Sequence, residues 1–128
     1  MPSRVTICLV AGTASVLTTC NNPAAPLCSG FVSVSVANGP EPGISWSGDC
    51  TIDQVMVSLV LPPSAGGDQP QWLARGTGIA RVSPPISYGR PPLGMETVFG
   101  PVALVMGHSY DVQVYAHGVA LGEGSFQH

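Results

Sequence analysis

Side chains able to do chemistry are few in this chain. Four cysteines, Cys8, Cys20, Cys28 and Cys50, offer thiolates for a metal, a disulfide or a covalent lipid. None of their spacings forms the paired CxxC arrangement of zinc or redox sites. The histidines His108, His117 and His128 include no close pair that one metal ion would draw together. Asp49, Asp53, Asp68 and Glu96 carry oxygens suited to calcium, yet no EF-hand loop surrounds them, and the seven acids show no spacing suited to acid–base work. No serine sits in a GxSxG elbow. These readings point away from catalysis and from any metal or other cofactor. One set remains: Trp72, Tyr88 and Arg90, flanked by Gly and Pro, where loop aromatics would make a platform for a peptide or a sugar. Packing of both rings over the edge of a folded body is the competing account.

The elements that must position these groups follow from composition and periodicity. The 128 residues suffice for one domain with a real core. Hydrophobic residues make up 45% and charged residues only 9%, so solubility must rest on Ser, Thr, Gln, Asn and exposed backbone. With 16 Gly and 13 Pro, long helices are excluded and many turns are required. The formal net charge is −3 and the four basic residues are dispersed arginines, which excludes the basic stripe that a nucleic acid partner requires.

Strand periodicity recurs along the body. Val32, Val34 and Val36 alternate with small polar residues, and Ile44 and Trp46 share the next alternation. Residues 54–61 are apolar on both faces, which predicts a central strand. Pro62 to Asp68 reads as an exposed loop. Residues 71–74, 79–82 and 96–99 are short strand candidates, and 83–94 is irregular. Residues 108–116 and 119–126 read as a hairpin turning near His117-Gly118. Seven or so short strands with turns about every ten residues predict an all-β antiparallel sandwich.

The N-terminal segment reads as an address. Arg4 precedes an apolar run from Val5 to Leu17, too short to span a bilayer but of the length of a signal-peptide core. Leu17-Thr18-Thr19-Cys20 resembles the lipobox of bacterial lipoproteins, with Leu17 and Thr18 carrying the fit and Thr19 departing from it. That resemblance implies cleavage before Cys20 and a lipid on its sulfur, anchoring the chain at a bacterial cell envelope. Residues 1–19 would then be a signal peptide and 20–29 a proline-bearing tether. Two other readings stand beside it: cleavage by an ordinary signal peptidase after Ala14, giving a secreted soluble protein, or a first β-strand. If Cys20 carries lipid, Cys28 and Cys50 remain as an even pair near the open end of the hairpin formed by residues 31–37 and 42–47. Closing that loop of about 22 residues would stabilise the fold by roughly 3 kcal/mol in the chain-entropy view. A buried free Cys50 is the alternative.

Leu104, Gly107, Tyr110, Val112, Val114 and Ala116, followed by Gly122 and Gly124, resemble the penultimate and final strands of a fibronectin type III domain. The resemblance spans about residues 30–127, with its motifs at the two ends, and implies one sandwich domain over 30–128. It implies a tyrosine corner at Tyr110, whose ring packs in the core while its hydroxyl satisfies a backbone group of the incoming loop. Trp46 would match the tryptophan of the second strand. The expected function is a non-catalytic structural or interaction module at the envelope, its protein or glycan partner unspecified. A carbohydrate- or peptide-binding module using Trp72, Tyr88 and Arg90 is a second expectation, and a small secreted enzyme or inhibitor a third.

Overall fold

The computed structural model describes residues 32–47, 51–78 and 82–128. The expected signal peptide, the whole of the expected tether with Cys20, and the Cys28–Cys50 pair lie outside the described residues, as do Ile79, Ala80 and Arg81. Eight strands run in the order β1 (Val34–Ala37), β2 (Gly43–Trp46), β3 (Gln54–Leu59), β4 (Gln69–Gly76), β5 (Ile86–Ser87), β6 (Met95–Phe99), β7 (Ser109–Ala116) and β8 (Val119–Gln127). They form two antiparallel sheets, β1-β2-β5 and β6-β4-β3-β7-β8. The fold is all-β with the arrangement of a sandwich. Among the described residues no helix is long and apolar enough to cross a membrane.

Period-2 alternation builds the core. Ile44 and Trp46 from β2 meet Val55, Val57, Trp72, Val112 and Val114 from the larger sheet in one buried cluster. Removing each such side chain from water contributes about 1.5–3 kcal/mol, which supplies what the scarce charges do not. The expected central strand is central: β3 pairs with β4 on one side and β7 on the other. The expected strand at 71–74 is longer, running from Gln69 to Gly76 despite Pro70. Val82 is buried outside any strand, and the irregular stretch 83–94 contains β5. Among the described residues the strands number eight, in keeping with the seven or so expected, with β6 paired to the outer side of β4.

The expected hairpin is β7–β8, in register from Ser109↔Gln127 to Ala116↔Val119. Its turn residues His117 and Gly118 have φ of 51° and 79°, as a two-residue turn that follows the strand twist demands. Tyr110 lies at the start of β7, buried and stacked on Phe126 with ring centroids 5.3 Å apart. Its hydroxyl accepts the Val105 N–H at 2.8 Å, five residues back along the incoming loop.

Three strands carry an extra residue. The register of β4 shifts against β3 around Gln71, that of β6 against β4 around Val98, and that of β8 against β7 around Leu121. Two of these bulges turn a carbonyl out of the sheet. Gln71 O accepts the Val102 N–H and Leu121 O accepts the Val32 N–H, each at 2.9 Å. The second contact brings β1 against β8 at Gly122 and Gly124. A Cβ on Gly124 would stand 2.8 Å from Val34 O, and one on Gly122 would strike Val32 O.

Replacing Gly124 by alanine forces backbone against backbone, so Gly124→Ala is expected to cost about 1–3 kcal/mol by overpacking. Thermal unfolding checks it; an unchanged Tm would show that β1 can move off β8. Tyr110→Phe leaves the Val105 N–H without its acceptor and is expected to cost about 1–2 kcal/mol. Chemical denaturation read by tryptophan fluorescence measures that loss.

Candidate functional site

The three residues expected to form a binding platform do not form one. Trp72 sits on β4 with 0% of its surface exposed, and Tyr88 retains 8%. Their rings meet edge to face, with centroids 5.4 Å apart at 65°. Each polar handle is satisfied inward: Trp72 Nε1–H donates to Thr97 Oγ1 at 3.1 Å, and the Tyr88 hydroxyl donates to Val102 O at 2.6 Å. Burial pushes the Tyr88 phenol up to about 12, with the nearby Tyr110 phenol adding to the rise and the Val102 bond opposing it. A ring so enclosed presents no face to a ligand. Arg90 alone stays on the surface, where its Nε–H donates to Glu41 Oε2 at 2.9 Å. That exposed ion pair contributes at most about 1 kcal/mol. The Gly and Pro around these aromatics mark bends between short strands, while the rings turn inward to fill the sandwich.

The carboxylates that look scattered in sequence come together on the sheet. Asp111 on β7 pairs in register with Ser58 on β3 and Ser125 on β8, which sets Glu123 on a diagonal neighbour position. Asp68, whose Oδ1 accepts the Leu61 N–H at 3.3 Å, closes from the loop before β4. Partial burial holds the Asp111 carboxyl above its usual range, and the charges of Glu123 and Asp68, together with a hydrogen bond to Asp68, add to the rise. Sequence spacing alone hides this grouping, because it depends on the register of β7 against two partners and on a loop fold. The hairpin register supplies the one legible signal, placing Glu123 near Asp111. Among the described residues no group of three or more His, Cys, Asp or Glu side chains is placed to hold a metal ion. His108 and His128 come side by side through the His128 N–H bond to His108 O, while His117 lies at the opposite end of the hairpin.

The feature of the surface that sequence reasoning missed is an apolar end. Val60, Phe99, Val102, Val105 and Met106 are all exposed, Met106 at 81%. They belong to the ends of β3 and β6 and to the loop leading into β7, which the strand register places at one end of the larger sheet. The Gln71 and Tyr110 bonds to Val102 and Val105 hold that loop in place. Val32, where the described chain begins, lies beside Leu121 at the opposite end. Such a surface supplies apolar contact area.

The raised Asp111 group gives a test of the carboxylate grouping. A folded-state value above the ordinary 3.8 means that proton binding stabilises the fold, fully below that pH and progressively less as pH rises through the folded value. Asp111→Asn removes the charge and is expected to raise Tm at pH 7, with the gain shrinking as pH falls toward 3.8. A pH series of melting curves checks it; a constant difference would place the effect elsewhere. Comparison with family models, curated proteins and solved structures finds no match to this chain.

Proposed function

We propose that the protein is an exported, non-catalytic structural or interaction module held at a bacterial cell envelope by a lipid on Cys20, with a sandwich of the fibronectin type III kind. The observation that carries the export reading is the N-terminal series: Arg4, the apolar run from Val5 to Leu17, and Cys20 three residues later. The Tyr110 corner and the strand distribution support the fold family. β1, β2 and β5 oppose β3, β7 and β8, the division of strands A, B, E against C, F, G in immunoglobulin-type sandwiches. β6, entering after β5 and pairing with β4, is an addition to that plan.

The placement of the ends fits a displayed module. The chain enters β1 beside Leu121, at the end of the sandwich that carries the His117-Gly118 turn. A tether there leaves the end bearing Val102, Val105 and Met106 farthest from the anchor. The reading as a sugar or peptide platform loses its two aromatics to the core, and no other exposed aromatic pair replaces them among the described residues.

Intact mass of the protein recovered from its native membrane fraction tests the proposal. The expected species is residues 20–128 with a diacyl or triacyl group, less two hydrogens for a Cys28–Cys50 bond. Cys20→Ser is expected to lose the lipid and leave the membrane fraction. A full-length chain, or one cut after Ala14, without lipid would overturn the anchor.

A further inference from the structure

The loop joining β1 and β2 carries the dipeptide Asn38-Gly39, and its surroundings leave that dipeptide free to react with itself. Asn38 is exposed. Neither its side-chain amide nor the Gly39 N–H has a hydrogen-bond partner among the described residues. A Cβ built on Gly39 would meet nothing within 4 Å, so no neighbour crowds the dipeptide on that side. The loop flanks are fixed instead. Ala37 pairs with Gly43, Pro42 O accepts the Tyr88 N–H at 2.9 Å, and Glu41 is bound to Arg90.

We propose that Asn38 is a site of spontaneous deamidation in the folded protein. The Gly39 backbone nitrogen, its proton lost to solvent base, attacks Asn38 Cγ. The Cγ–N bond of the side-chain amide breaks, ammonia leaves, and a five-membered succinimide forms. Water then opens the ring: attack at Cγ gives aspartate, and attack at the backbone carbonyl carbon gives isoaspartate, whose chain runs through the former side chain. No oxidant or enzyme is required. Glycine is the favourable neighbour because it has no Cβ to crowd ring closure and reaches backbone angles closed to other residues. The other two asparagines lack it: Asn21 is followed by Asn22, and Asn22 by Pro23, which has no N–H to attack.

The product carries one more negative charge than the −3 of the unmodified chain. That charge appears beside Glu41, on a loop at the same end of the sandwich as Val102 and Met106, to which Tyr88 ties it. Isoaspartate also lengthens the loop backbone without disturbing the Ala37–Gly43 pair. Age would thus alter the charge of the exposed end and leave the core alone.

The experiment is incubation of the folded full chain at pH 6 and pH 8, followed by peptide mass mapping. The expected result is a gain of one mass unit confined to the peptide containing Asn38, faster at pH 8 and split between two products of equal mass. Asn38→Gln is expected to abolish it and Gly39→Ala to slow it severalfold, with melting temperatures confirming that both variants fold. Absence of conversion in the folded chain, when the denatured chain converts, would overturn the proposal. So would conversion that Gly39→Ala leaves unchanged.

Discussion

The closure of this sandwich depends on backbone meeting backbone where β1 lies against β8. Side chains normally set the distance between two sheets at about 10 Å. At Gly122 and Gly124 there is no side chain, and Val32 and Val34 carbonyls occupy the space a Cβ would fill. The edge of the smaller sheet thereby folds down onto the edge of the larger one. Everything that follows from a single shared core, including the burial of Trp46 in one cluster with β7 residues, requires that this edge be shut.

The bulges serve the same end. Inside a regular ladder a strand spends its backbone groups on its neighbours, and only an edge strand keeps an unpaired row. Two of the three added residues spend their carbonyls outside the ladder: Leu121 on the entry of β1, Gln71 on the loop after β6. The Tyr110 hydroxyl supplies the third such tie. The loop leading into β7 is held by the Gln71 carbonyl and by the Tyr88 and Tyr110 phenols.

Much of this architecture was legible in the amino acids. Alternation gave β1, β2 and β3, the two-sided apolar character of residues 54–61 gave the central strand, and Tyr110 with its flanking residues gave the corner. What stayed hidden was non-local. β5 is two residues long between proline pairs and exists only because Ile44 and Gly43 stand opposite it. β4 continues through Pro70, which local rules forbid in a sheet, because the bulge at Gln71 takes up the irregularity. Trp72 and Tyr88 carry Gly and Pro neighbours that suggest a surface loop, yet their inward direction is decided by the facing sheet. The grouping of Asp68, Asp111 and Glu123 likewise arises only from register.

The way β1 enters has a mechanical consequence. Tension on the chain ahead of Val32, resisted at the far end of the molecule, acts along the length of β1. The hydrogen bonds between β1 and β2, from Val34↔Trp46 to Ala37↔Gly43, lie across that direction and share the load. Such a strand resists in shear, all bonds together, whereas one pulled sideways opens like a zipper from its first bond. The valine carbonyls packed on the β8 glycines add a ratchet of close contacts that sliding must climb. Pulling along β1 would therefore meet more resistance than pulling across it.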